Sequence, residues 1–118
     1  MKGDLPQRTF EFAKRVVKLC QVLDERPGVG QTLARQLIRS GTSIGANVEE
    51  GQASQSQADF TSKYSIACKE ARETHYWLRL IAETGIVESE RLEPLMQECH
   101  ELIAILTTIV KKTRTNRN

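Results

Sequence analysis

The stretch Arg39–Gly51, RSGTSIGANVEEG, decides the fold of this chain. Such a run of small residues is typical of a loop, because each Gly in a helix costs about 1 kcal/mol relative to Ala. Its apolar and small residues nevertheless recur at helical spacing, at Leu33, Leu37, Gly41, Ile44 and Val48. Gly41 and Gly45 lie one turn apart and leave a groove in which a second backbone can approach closely. The pattern therefore predicts a helix that gives up intrinsic propensity for tight packing.

The segment from about residue 5 to residue 25 is predicted to be the first helix. Asp4 and Gln7 fit a capping box, and Pro6 is tolerated in the first turn. The following Arg-Pro-Gly at 26–28 ends the helix. Apolar side chains cover about half of its circumference: Phe10, Phe12, Ala13, Val16, Val17, Leu19, Cys20 and Leu23. This is more than one packed neighbour needs, and we therefore take Phe12 and Leu19 as candidate contacts between subunits.

The three remaining helices have recognisable ends. They are predicted over about residues 31–52, 56–84 and 90–112. Ser56 is a capping residue for the third helix and Gly85 ends it. Pro94 would sit too deep in a helix that began at residue 89, so the regular part of the fourth helix is expected to begin nearer Glu93. The basic tail at 113–118 is expected to fray.

The third helix carries the clearest apolar seam. Its members repeat at alternating spacings of four and three: Phe60, Tyr64, Ala67, Ala71, Thr74, Leu78 and Ile81. Ile66, Trp77 and Leu80, interleaved with Glu73, form a weaker second stripe that is a candidate subunit contact. No segment has the alternation of a strand. Four helices with apolar seams and short connections predict an all-α, antiparallel up-down four-helix bundle, as a single domain over 1–118.

The second helix also carries a polar stripe on the side opposite its apolar arc. Arg39, Ser43, Asn47 and Glu50 follow one another at 4-4-3 spacing. One interpretation is a solvated face with local contacts, each worth a few tenths of a kcal/mol. The other is a set of hydrogen-bonding groups that face a partner.

Composition is typical of a soluble globular protein, with 39% hydrophobic and 27% charged residues among 118. No apolar run approaches the roughly 18 residues of a membrane span, and the N-terminus lacks the apolar region of a signal peptide. We therefore expect a cytoplasmic protein with no membrane contact. Cys20, Cys68 and Cys99 have no C-x-x-C spacing, which favours reduced, buried thiols over catalytic or metal-bound ones.

Charge is unevenly distributed along the chain. Residues 1–48 carry eight Lys or Arg against four Asp or Glu, whereas residues 49–110 carry five against eleven. The tail after residue 110 has four basic residues and no acidic one. Candidate contacts to nucleic-acid phosphates are Lys14, Arg15, Lys18, Arg35, Arg39, Lys111, Lys112, Arg114 and Arg117. The alternative is that these cations only keep the protein soluble.

Motifs for catalysis or cofactor binding are absent from the sequence. A di-iron bundle needs Glu-x-x-His motifs, but Arg72 precedes His75 and Gln97 precedes His100 at that spacing. Gly28-Val29-Gly30 starts like a dinucleotide fingerprint, then departs from it and follows no strand. We therefore predict a protein that is not an enzyme and has no cofactor, no metal and no small-molecule substrate.

Three stretches together resemble a known family. They are RSGTSIGANVEEG at 39–51, FTSKYSIACKEARETHYWLRLIAETG at 60–85 and ELIAILTTIVK at 101–111. The chain is similar in them to bacterial four-helix bundle proteins encoded in the intervening sequences of 23S ribosomal RNA genes. Where that family commonly reads Asn-Ile-Ala-Glu-Gly, this chain has Val48 and Glu49.

The resemblance implies a homo-oligomer, with a pentameric ring as the expected form. It also implies a distant relation to accessory proteins of diversity-generating retroelements, whose pentamers bind a reverse transcriptase and nucleic acid. The leading hypothesis is therefore a non-catalytic homo-oligomer that binds RNA or a ribonucleoprotein. The alternative is a protein-interaction scaffold whose partner recognises the polar stripe and which does not touch nucleic acid.

Overall fold

The computed structural model describes residues 4–25 and 27–116, which form the predicted four-helix bundle. The helices are α1 (Leu5–Asp24), α2 (Val29–Gln52), α3 (Gln57–Glu83) and α4 (Ser89–Asn116). Short connections make each helix antiparallel to the one before it, within a body measuring 49 × 22 × 21 Å. α1 packs on α2, α2 on α3 and α3 on α4, whereas α1 and α4 meet through a much looser contact. In the part of the chain described, no helix is long and apolar enough to cross a bilayer.

The α1–α2 contact depends on the predicted glycine groove. An added Cβ at Gly45 would lie 3.2 Å from the backbone oxygen of Thr9, and one at Gly41 would lie 2.8 Å from Cγ1 of Val16. Thr9 is fully buried there, and its hydroxyl donates to the Leu5 carbonyl at 3.0 Å. The two helices therefore pack so closely at Gly41 and Gly45 that a Cβ at either position would require α1 to shift.

One hydrophobic cluster runs through the bundle and includes the α3 seam, of which only Phe60 is partly exposed.

On α1 the structure corrects the sequence analysis. Phe12 is fully buried in the core of the single chain, so its assignment as a subunit contact was wrong. Thr9 and Val16 of α1 contact Gly45 and Gly41 of α2. This orientation of α1 turns Phe12 into the core and leaves Phe10 and Val17 exposed at 50% and 36%.

The ends of α3 follow the sequence signals, but the start of α1 does not. Ser56 Oγ accepts a hydrogen bond from the Asp59 amide at 3.0 Å, and Gly85 adopts a φ of 77° just after the helix. Both predictions are confirmed. Asp4 makes no side-chain cap, and its φ of −103° and ψ of 37° differ from the extended backbone that a capping residue usually adopts. The side chain of Gln7 bonds Glu11 instead, at 2.9 Å.

α4 is longer at both ends than predicted. It begins at Ser89 with Pro94 inside it. The missing N–H of Pro94 leaves only the exposed Glu90 carbonyl without its helical partner, and water can satisfy that group. Instead of fraying after residue 112, the helix continues to Asn116. Gln57 Nε2 donates to the Thr113 carbonyl at 3.1 Å and ties this end to the start of α3. The predicted breaker Arg26 lies outside the described residues.

Candidate nucleic-acid interface

The polar stripe of α2 faces α3 and is held by it. Arg39 forms ion pairs with Glu70, at 3.4 Å, and with Glu73. The Glu70 side chain is only 12% exposed, and Trp77 Nε1 donates to Glu73 at 3.0 Å. Arg39 is therefore neutralised by two carboxylates of its own chain, which argues against its predicted role as a phosphate contact.

The rest of the stripe is also engaged within the chain. Ser43 Oγ donates to the Arg39 carbonyl at 2.6 Å, and Asn47 Nδ2 donates to the Ser43 carbonyl at 2.9 Å. Glu50 pairs with Lys63 of α3 at 3.0 Å, and this pair raises the pKa of Lys63. Local contacts within α2, as expected for a solvated face, are thus present, and ion pairs from α2 to α3 accompany them. The stripe thus helps to join α2 to α3.

A basic cluster lies in a cleft between α3 and α4, with a volume of about 300 Å³. Four cations line it, together with small or uncharged side chains: Ser65, Cys68, Lys69, Arg72, Thr107, Val110, Lys111 and Arg114. No carboxylate is among these lining residues. The cations also take part in none of the ion pairs found among the described residues. The cleft is therefore a place of uncompensated positive charge.

The two arginines of the cleft are held by the helix opposite to their own. Arg72 of α3 donates to the Thr107 hydroxyl of α4 at 3.4 Å, and Arg114 of α4 donates to the Ser65 hydroxyl of α3 at 3.3 Å. Both partners are neutral, so the guanidinium groups are oriented without losing their charge. Sequence analysis had named Lys111 and Arg114 but missed Lys69 and Arg72. Lys69 and Arg72 lie one helical turn apart beside the α3 seam, and this spacing was the signal in the sequence that could have identified them.

The cations of α1 that were predicted to contact phosphates lie in two different environments. Lys14 pairs with Glu11 at 3.1 Å and lies over the Phe10 ring, 5.6 Å from its centroid. Arg15 and Lys18 line a second cleft with Arg91 of α4, about 240 Å³ in volume, over an apolar floor. Arg35 and Lys112 are exposed, whereas Arg117 lies outside the described residues. The predicted phosphate contacts thus do not form one surface.

An apolar groove lies on the outside of the α1–α2 pair, with a volume of about 610 Å³. Phe10, Ala13 and Val17 of α1 form one wall, and Gly45 and Ala46 of α2 form the other. A single chain leaves this surface open. Of the other predicted subunit contacts, Leu19, Trp77 and Leu80 are partly buried in the chain itself and Ile66 is 38% exposed.

No group of three or more candidate metal ligands comes together in the residues that the structure describes. His75 and His100 lie side by side, with ring centroids 5.3 Å apart. Burial, and then the charges of His100 and Arg79, lower the pKa of His75.

Two of the three thiols are buried. Burial raises the pKa of Cys20 to about 11 and that of Cys99 to about 12, so both stay protonated at neutral pH. Cys68, in the α3–α4 cleft, is partly exposed.

Comparison with known proteins places the chain in a family. The sequence model described as 23S rRNA-intervening sequence protein matches residues 2–108. A crystal structure of a protein of unknown function from the S23 ribosomal protein family of Bacteroides thetaiotaomicron is 40% identical to this chain. The match covers 90% of this chain and 97% of that one, with a TM-score of 0.82. No curated protein matches, and neither similarity indicates a catalytic family. The chain therefore belongs to the 23S rRNA-intervening sequence protein family.

Proposed function

We propose that this protein acts without catalysis, as a homo-oligomer that binds RNA or a ribonucleoprotein. The observation that carries the proposal is the convergence of four cations, from two helices, on the α3–α4 cleft, whose lining residues include no carboxylate. Among the described residues none of these four takes part in an ion pair, whereas Arg8, Arg39 and Lys63 do. Because phosphate contacts by Lys and Arg supply most of the affinity for nucleic acids, such a cleft suits an RNA partner.

The apolar groove on α1 and α2 supports the oligomeric part of the proposal. Phe10 and Val17 expose apolar surface that a second copy of the chain could cover, and Lys14 and Glu49 at its rim offer charges of both signs. A ring would repeat the basic cleft once per copy. Weak contacts to one RNA molecule would then add up, because linked sites bind with a high effective concentration.

RNA binding is tested by fluorescence anisotropy with a labelled oligouridine and the full chain. If each copy engages four phosphates, the affinity should fall about 50-fold between 50 and 200 mM salt, since log K changes by about 0.7 per contact and log unit. A flat salt response, or no binding at the lower salt concentration, would contradict the proposal.

Oligomerisation is tested by light scattering of the same preparation. We expect a mass that is a multiple of 13.3 kDa, and five copies would give a ring of the kind that the resemblance implies. Phe10→Ser with Val17→Ser should lower that mass, whereas Val29→Ser, at a residue that is 68% exposed and outside the groove, should leave it unchanged. A stable monomer at micromolar concentration would refute this part.

A further inference from the structure

We infer that the α3–α4 cleft binds the sugar–phosphate backbone of one RNA strand, without reading its bases. This inference rests on the proposed RNA binding and names its site. Two features of the cleft carry it, namely the spacing of the arginines and the chemistry of the lining.

The spacing of the arginines fits a run of phosphates and not a single one. Ser65 and Arg72 are seven residues apart on α3, as are Thr107 and Arg114 on α4. Because each arginine reaches the hydroxyl of the opposite helix, the guanidinium groups are separated by two helical turns, about 10 Å along the cleft. In a stacked strand with about 3.4 Å per nucleotide, this distance spans about three steps.

The shape of the cleft favours one strand. It is a single groove of about 300 Å³ bounded by two helices, α3 and α4. Lys69 and Lys111 lie one turn before their respective arginines, on the same two walls. A strand that runs along the groove would therefore meet cations from both sides.

The lining explains why we expect no sequence preference. Base-specific recognition of RNA uses aromatic or guanidinium planes for stacking, and hydrogen bonds to the base edges. No aromatic, Asn or Gln side chain is among the residues that line the cleft. Its two guanidinium groups are held in place by the Thr107 and Ser65 hydroxyls. The groups that remain are four cations, whose partners are the phosphates that any sequence offers.

The test compares two double variants that remove the same charge. Arg72→Gln with Arg114→Gln empties the cleft of its oriented guanidinium groups. Arg79→Gln with Arg91→Gln is the matched control, at two exposed arginines that do not line the cleft. None of these four cations has a carboxylate partner among the described residues, so neither double variant leaves a carboxylate unpaired. Far-UV circular dichroism verifies that both fold.

The probe is a labelled octauridine, which is short enough to lie on one copy. Loss of two phosphate contacts should reduce the slope of log K against log salt by about 1.4 and weaken binding about 25-fold at 0.1 M salt. The control should change neither value. Octaadenosine should bind within about threefold of octauridine, because backbone contacts do not depend on sequence.

A chemical footprint gives a second readout that does not depend on substitution. Cys68 lines the cleft and is partly exposed, whereas Cys20 and Cys99 are buried and serve as internal controls. Octauridine at about ten times its Kd should slow alkylation of Cys68 by iodoacetamide about tenfold. Mass spectrometry of tryptic peptides measures the modification at each cysteine.

The outcomes separate the site from the function. If wild-type protein binds no RNA at low salt, the proposed function itself fails. If RNA binds but the control variant loses as much affinity as the cleft variant, or Cys68 is not protected, RNA binding stands and the site assignment is wrong. Tighter binding of an eight-base-pair duplex than of the single strand would overturn the single-strand assignment.

Discussion

Replacement of Gly41 by Ala tests the packing of α1 on α2. The new Cβ would lie 2.8 Å from Cγ1 and 2.9 Å from Cγ2 of Val16. Val16 is fully buried, and a β-branched side chain in a helix has one strongly preferred rotamer, so it cannot turn away. Overpacking costs about 1–3 kcal/mol, and the gain in helix propensity returns about 1 kcal/mol. We expect a net destabilisation of about 1 kcal/mol.

The effect of Gly41→Ala on the free energy of unfolding should change sign when Val16 is shortened to Ala. Val16→Ala alone should cost about 2 kcal/mol through lost burial and a cavity. In that background both close methyl groups are gone and only the Cβ of residue 16 remains near, at 3.3 Å. Gly41→Ala should then stabilise by up to about 1 kcal/mol through helix propensity. The coupling between the two positions is then up to about 2 kcal/mol, well above the few tenths found for independent sites.

Urea unfolding of the four proteins in this cycle, followed by circular dichroism, measures the effect. All samples must have the same protomer concentration, because association changes apparent stability. Equal m-values would show that the substitutions leave the surface exposed on unfolding unchanged. The reasoning fails if Gly41→Ala shifts the free energy of unfolding equally in both backgrounds.

Three further predictions concern the α1–α4 ion pair, a helix cap and a buried thiol. The hydrogen bond from Arg8 lowers the pKa of Glu101, so this pair stabilises the fold above the ordinary pKa of Glu and is lost below about pH 4. Arg8→Gln should therefore make the free energy of unfolding fall less steeply as the pH is lowered into the acid range. An unchanged fall would contradict this. Ser56→Ala removes the acceptor of the Asp59 amide and should lower the free energy of unfolding in urea by about 1 kcal/mol; no change would mean that the cap contributes nothing. The Cys99 thiol, whose pKa burial raises to about 12, should resist alkylation at pH 8 until urea unfolds the chain, and modification of the folded protein would refute its burial.

Much of the fold could be predicted because its signals are local. The α3 seam, the Ser56 cap and the Gly85 stop each lie within a few residues of the feature that they determine. The face of α1 could not be chosen in this way. Periodicity predicts a wide apolar arc, but the packing of Thr9 and Val16 on α2 decides that Phe12 and not Phe10 enters the core.

The candidate site was predicted less well because it depends on distant residues. Arg39 was taken as free to bind phosphate, but its partners Glu70 and Glu73 lie on another helix, more than thirty positions away. Lys69 and Arg72 join Lys111 and Arg114 only when α3 and α4 pack antiparallel. The pattern along a single helix carries no information on which charges of a neighbouring helix will face it.

The looser contact between α1 and α4 has a consequence for local unfolding of the bundle. Arg8 bridges these helices through Glu98 and Glu101, but their backbones approach each other less closely than those of the other neighbouring pairs. α1 and α4 therefore have one closely packed neighbour each, whereas α2 and α3 have two. Amide hydrogen exchange should reveal a gradient, with the slowest deuterium uptake in α2 and α3 and faster uptake towards both termini.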